Sequence, residues 1–199
     1  MMILHVSFNP AGPYSRTAKL AEGYLAKRMA KEDLHIETLD LVEADLPSID
    51  ILAELARRKV SGGIGILAEE EAVWERIQDF SRQFVAAEEV VLSCAMWNFS
   101  LPYRMKHYID VVIQPGLAFR YTASGAEGLC GGKEVTLVTT RGGRYAEPPM
   151  SALNFQTPYL RTVLGFIGCN YREVAAEGLD QMTSPQEVEK ALDAALECV

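Results

Sequence analysis

The sequence predicts a doubly wound α/β fold, a five-stranded parallel sheet in the order 2-1-3-4-5 with helices on both faces. Three observations predict it. Short apolar or β-branched runs alternate along the chain with segments of helical periodicity, the pattern that right-handed βαβ crossovers impose. The run "EVVLSCAM" (89–96) is continuously apolar, as in a strand covered on both faces, whereas "HIETLDL" (35–41) is half apolar and suits a place nearer an edge. Five such runs fit the five-stranded order better than the six-stranded dinucleotide-binding one.

The elements follow in order. "MILHVS" (2–7) is a first strand, stopped by the turn-forming cluster "FNPAGPYS". Ala18, Ala21, Leu25 and Met29 then recur at helical spacing, and residues 35–41 form the second strand. "AELARRKV" reads as helix, and the "GGIG" at 62–65 as a turn; no strand precedes it, so it is not a phosphate loop. Val73, Ile77, Phe80 and Phe84 mark one face of a long helix, and residues 89–96 form the third strand. A helix follows with Pro102 near its first turn and Met105, Ile109 and Val112 on one stripe. "KEVTLVTT" (133–140) is a β-branched strand that ends in the loop "RGGRYAEPPMS". "TPYLRTVLGFIG" (157–168) is helical, "YREVAAEG" (171–178) is the least marked strand, and Ser184-Pro185-Gln186-Glu187 forms a capping box before the last helix. Five strands are thus expected to alternate with five helices.

Composition narrows the function. A chain of 199 residues that is 49% hydrophobic can bury one substantial core, so one domain spanning 1–199 is expected. The chain has neither a run of about 18 apolar residues nor a basic, cleavable start, so a soluble cytoplasmic protein without membrane association is expected. Cys94, Cys130, Cys169 and Cys198 show no C-x-x-C pair, which suits reduced thiols and argues against a metal site. A net charge of −8 argues against nucleic acid as a partner.

In this fold ligands bind beyond the carboxyl ends of the strands, near the point where strand order reverses. Loops 8–17, 96–101 and 140–150 lie there. In the first, Ser7 ends a strand while Ser15, Arg16 and Thr17 open a helix, which places hydroxyls, a guanidinium and free N–H groups where a helix dipole favours an anion. An ordinary N-cap beside a chance arginine explains the same residues. With Gly12 alone in this loop, neither G-x-G-x-x-G nor Gly-Lys-Ser/Thr is present. His5, His35 and His107 have no pair at metal or triad spacing, and no G-x-S-x-G elbow is present. Met96, Trp97, Asn98 and Phe99 can either plug the sheet end or cover a flat ligand with apolar faces and a polar rim, which the Asn98 amide would serve.

Three segments, "MWNFSLPYRMKHYIDVVIQPGLAFRYT" (96–122), "GLCGGK" (128–133) and "TTRGGRY" (139–145), together with the first loop, resemble the FMN-dependent NADH azoreductases. These enzymes are also NAD(P)H:quinone oxidoreductases and belong to the flavodoxin-like superfamily. The resemblance covers nearly the whole chain. It implies that Ser7, Ser15, Arg16 and Thr17 hold the FMN phosphate, and that Met96, Trp97, Asn98 and Phe99 contact the isoalloxazine. Thr140, Arg141, Gly142 and Gly143, with Tyr145, would close on the ring's polar edge, and Tyr121 would line the substrate site. It further implies electron transfer from NADH or NADPH through the flavin to quinones and azo compounds, in ping-pong order and in a homodimer, with the flavin carrying the chemistry. Tyr145 stands where many relatives have His, and Arg16 where they often have Gln. A flavodoxin-type electron-transfer protein working with a protein partner is the competing expectation.

Overall fold

The computed structural model describes residues 1–197 and 199; the expectation for Cys198 lies outside them. A parallel sheet is built from β1 (Met2–Phe8), β2 (His35–Asp40), β3 (Glu89–Cys94), β6 (Glu134–Thr140) and β7 (Asn170–Ala176). Its order is β2-β1-β3-β6-β7, which is the expected 2-1-3-4-5 in the count of sheet strands. Each neighbouring pair is parallel, with Leu4 beside Val90, Leu92 beside Leu137, and Val138 beside Val174.

Alternation of side chains along each strand divides the core in two. Leu4, Val6, Val90, Leu92, Val135 and Leu137 point to the face covered by α3 (Ala68–Ala86), α4 (Tyr103–Val112) and α5 (Gln156–Phe166), where they meet Phe84, Met105, Tyr108, Ile109 and Leu160. Ile3, Val91, Val138 and Val174 point to the opposite face and meet Leu20, Ala21 and Tyr24 of α1 (Arg16–Met29) and Leu192 of α6 (Pro185–Ala195). The expected capping box is present at the start of α6: the Ser184 hydroxyl accepts from the Glu187 N–H while the Glu187 carboxylate accepts from the Ser184 N–H.

Two features correct the expectation of five strands and five helices. Segment α2 (Ile51–Ser61), where "AELARRKV" was expected to be helical, raises the count to six helices; Asp50 caps it, and Ala53 and Ala56 pack on Trp74 and Ile77 of α3. The crossover after α4 contains an antiparallel hairpin, β4 (Phe119–Thr122) with β5 (Gly125–Gly128). The strand "GAEG" has no strand-forming composition, and its place is fixed by tertiary contact instead. A Cβ on Gly128 would lie 2.2 Å from the Ile167 carbonyl carbon, so only glycine lets the hairpin lie against the end of α5.

Among the polar side chains on the sheet faces is His5 on β1, whose Nε2 lies 2.9 Å from Ser93 Oγ. Burial lowers its pKa from 6.5 to about 4, against an opposing pull from Asp40. The folded protein therefore favours the neutral ring. Between pH 6.5 and about pH 4 the unfolded chain takes up a proton that the folded one refuses, so stability should fall as pH drops through that window and level off below it. The expected loss is on the order of 3 kcal/mol. Urea unfolding across this range should show a flatter pH dependence for His5→Gln; parallel curves would contradict this account.

Candidate functional site

The chain leaves β3 into a tight two-residue turn. Trp97 and Ser100 exchange both backbone hydrogen bonds, at 3.0 and 2.9 Å, so Asn98 and Phe99 form its corner. Both corner residues adopt left-handed backbone, φ 47° for Asn98 and 68° for Phe99. Asparagine tolerates this conformation, whereas a phenylalanine there is strained by about 1–2 kcal/mol. Such strain persists only where surrounding contacts over-determine it. Those contacts are present: the Met96 N–H donates to the Thr140 carbonyl at 3.0 Å, and the Phe155 N–H donates to the Phe99 carbonyl at 2.9 Å.

The turn speaks against a plug of the sheet end. Trp97 and Phe99 are 42% and 43% exposed, so they do not plug the sheet end. Trp97 stands edge-on to Phe8 with centroids 5.5 Å apart, and Phe99 edge-on to Tyr145 at 6.2 Å. The N–H groups of Asn98 and Phe99 have no acceptor among the described residues.

In the first loop, Gly12 turns the chain with φ 54° into a short 3-10 segment, Gly12–Tyr14. The Ser15 hydroxyl caps α1 by accepting from the Ala18 N–H at 3.1 Å and donates to Asn9 Oδ1 at 3.1 Å. Asn9 in turn donates to Ser93 Oγ at 3.3 Å, so the loop rests on the same serine as His5. The N–H groups of Arg16 and Thr17 have no acceptor among the described residues and stand at the positive end of α1. Arg16 is half-exposed and donates to the Leu179 carbonyl and to Asp180 Oδ1, at 3.3 and 3.2 Å. Thr17 Oγ1 is buried 2.5 Å from Thr140 Oγ1, so these two hydroxyls bind each other and tie α1 to the end of β6. Ser7 lies buried at the end of β1, its carbonyl accepting from the Leu41 N–H at 2.7 Å.

At the third loop the structure separates Arg141 from the glycines beside it. The Arg141 side chain does not face the crevice. It is buried against Glu173 at 2.8 Å and Glu177 at 2.7 Å, and also donates to Gln156 and Thr157. A guanidinium carrying five donors is drawn to the two carboxylates and the amide oxygen grouped on that side. Its N–H donates to the Ala176 carbonyl, so neither side chain nor amide is free for a ligand. The N–H groups of Gly142 and Gly143 do remain without an acceptor among the described residues. Tyr145 is half-buried, with its N–H on Glu177 Oε2 at 3.0 Å. Beneath the site, burial pushes the Cys94 thiol up to about 12, which makes it unreactive.

Thr17, Met96 and Thr140 thus meet at one sheet edge, and Phe99 meets Tyr145 across the crevice. Tyr121 stands apart, 75% exposed on β4 and packed edge-on to Phe119 at 5.4 Å; among the described residues no hydrogen bond or ring contact joins it to the 96–99 turn. Asn9, Phe8, Glu177 and Asp180 take part in the site without having been expected. Asn9 had a visible signal as a turn-former in "FNPAG"; Glu177 had none, because only the packing of β7 brings it to this loop.

An open parallel sheet with unpaired helix-start N–H groups and an aromatic turn near its switch point has the layout of the ligand-binding α/β class. A family model described as a flavodoxin-like fold matches residues 1–199. The FMN-dependent NADH:quinone oxidoreductase of Nitratidesulfovibrio vulgaris (strain DP4) is 36% identical over 178 residues, covering 88% of this chain and 85% of that protein. The crystal structure of azoreductase from Bacillus anthracis str. Sterne superposes with a TM-score of 0.88 at 30% identity, over 99% of this chain and 95% of that one. An FMN-dependent NADH-azoreductase from Bacillus anthracis str. Ames Ancestor, solved in complex with FMN, gives 0.86 at 25% identity over 99% and 96%. The chain belongs to the flavodoxin-like family and, within it, to the FMN-dependent NADH:quinone oxidoreductases and azoreductases.

Proposed function

We propose that this protein is an FMN-dependent oxidoreductase that passes two electrons from NADH or NADPH to quinones and azo compounds, in ping-pong order, as a cytoplasmic homodimer. The observation that carries the reading is the strained turn at Asn98 and Phe99, whose free N–H groups lie on the same sheet edge as those of Gly142 and Gly143. Four unpaired donors beside two exposed aromatic rings suit a planar heterocycle with a carbonyl-bearing rim. The unpaired N–H groups of Arg16 and Thr17 suit a single phosphate. The residues present therefore fit FMN.

When bound, FMN would supply the two-electron chemistry between nicotinamide and acceptor. The protein's own residues bind and orient. Arg16, half-exposed on an ion pair worth little in water, can turn from Asp180 to the phosphate. Trp97 and Phe99 offer flat apolar surface to the ring. Gly142 and Gly143 admit a close backbone approach, and their N–H dipoles stabilise negative charge on the ring's polar edge. In this reading Thr140 and Arg141 build the loop and do not touch the ligand, and no side chain is assigned an acid or base role.

No helix among the described residues is long and apolar enough to cross a membrane, and none of their His, Cys, Asp and Glu side chains form a group of three or more that could hold a metal ion. The test is direct. Purified protein should carry or take up FMN stoichiometrically, bleach with NADH under anaerobic conditions, and turn over NADH with a quinone or azo dye as sole acceptor. Flavin uptake without turnover, rescued only by a second protein, would instead identify an electron carrier.

A further inference from the structure

The segment Glu177–Asp180 lies outside all three loops of the crevice, yet it touches two of them. Its contacts run along the backbone of the Arg-Gly-Gly loop: the N–H groups of Leu179, Asp180 and Gly178 donate to the carbonyls of Arg141, Gly142 and Gly143 at 3.2, 3.1 and 2.9 Å. One oxygen of the Glu177 carboxylate accepts from the N–H groups of Tyr145 and Ala146, both at 3.0 Å, and the other from Arg141 Nη1 at 2.7 Å. At its far end, Asp180 and the Leu179 carbonyl hold Arg16 on the first helix. The approach is close enough that a Cβ on Gly142 would lie 2.1 Å from Asp180 Oδ2.

We propose that residues 177–180 act as a brace that sets the position of the Gly142–Gly143 N–H groups relative to the anion-accepting start of α1, with Glu177 as its positioning residue. The loop has no regular secondary structure of its own, so its shape comes from these partners. Saturating three carbonyls on one side leaves the Gly142 and Gly143 N–H groups facing the other way. Glu177 is suited to the task because each carboxylate oxygen has a separate duty. One oxygen fixes the chain beyond the glycines, and the other locks the charge of Arg141, which lies between Glu177 and Glu173. Glu177→Gln preserves shape but removes the charge, so the Tyr145 and Ala146 N–H groups lose a charge-assisted acceptor whichever way the amide turns, and its NH₂ faces either them or the guanidinium.

That this placement serves FMN rests on the function proposed above; the placement itself does not. The primary readout is therefore amide hydrogen exchange in the flavin-free protein. In Glu177→Gln, exchange at Tyr145 and Ala146 should quicken by at least about tenfold, the scale of one charge-assisted hydrogen bond. The remaining core amides, such as those of β1 and β3, should be unaffected. Glu177→Asp keeps the charge beside Arg141 but withdraws the carboxylate by one methylene, and should show the same local quickening if the glutamine variant does not fold. Where wild-type protein binds FMN, its dissociation constant should rise by about tenfold or more in both variants, together with a shifted absorption spectrum of the bound flavin. Unchanged exchange at Tyr145 and Ala146 overturns the brace. Quickened exchange with unchanged flavin affinity and spectrum overturns its link to the site. Failure of wild-type protein to bind FMN overturns the proposed function and leaves the exchange result to judge the brace alone.

Discussion

Asn98→Ala should raise the dissociation constant for FMN at least about tenfold, because two independent contributions are lost together. Alanine in left-handed backbone is less favourable than asparagine, so the turn that presents Trp97, Phe99 and two free N–H groups is weakened. The amide proposed to meet the ring's rim also disappears. These contributions separate in Asn98→Gly, which keeps the turn without strain and removes only the amide. The glycine variant should fall between wild type and alanine. His107→Ala serves as the control: His107 Nε2 bonds the Pro47 carbonyl at 2.9 Å and makes no bond to the three loops of the crevice among the described residues, so its loss should leave flavin affinity nearly unchanged. Fluorescence titration of FMN into the four proteins measures all of this. Strong loss in His107→Ala together with wild-type affinity in Asn98→Ala would place the flavin elsewhere.

The second large effect concerns stability. Arg141→Leu should cost roughly 3–5 kcal/mol, the usual penalty when one partner of a buried ion pair is removed and the other stays. The side chain of Arg141 is 2% exposed, and those of Glu173 and Glu177 are 20% and 15% exposed, so both carboxylates would be left partly desolvated beside an apolar residue. Replacing Glu177 by Gln in the same chain removes one of the stranded charges. The double variant should therefore be more stable than Arg141→Leu alone, although Glu177→Gln alone is destabilising. Urea unfolding of the four proteins gives the coupling energy. Additive losses would show that Arg141 and Glu177 do not act as a pair.

The strands and helices of the main sheet were legible because each buries a face, and burial leaves a period in the sequence. "EVVLSCAM" and "KEVTLVTT" are covered on both sides, and the structure finds β3 and β6 within them at the centre of the sheet. Hairpin β4–β5 was not legible, since Gly125 and Gly128 carry no strand preference and the close contact that places Gly128 is made with the end of α5, far along the chain. Arg141 shows the same divide at the site. Its place in "TTRGGRY" was plain, but the direction of its side chain depends on Gln156, Glu173 and Glu177, which lie 15 to 36 residues away along the chain.

By itself the sequence determined the order of the main-sheet strands and their helices, the three loops at the sheet's carboxyl edge, and the family to which the chain belongs, because hydrophobic period and short motifs are properties of neighbouring residues. Only the tertiary structure decided which groups in those loops are free. Thr17 and Thr140 consume each other's hydroxyls, Arg141 is drawn inward by two carboxylates, and the N–H groups of Gly142, Gly143, Asn98 and Phe99 are left without a partner among the described residues. Hydrogen-bond satisfaction is settled between residues far apart in the chain, so it cannot be read until the fold has brought them together.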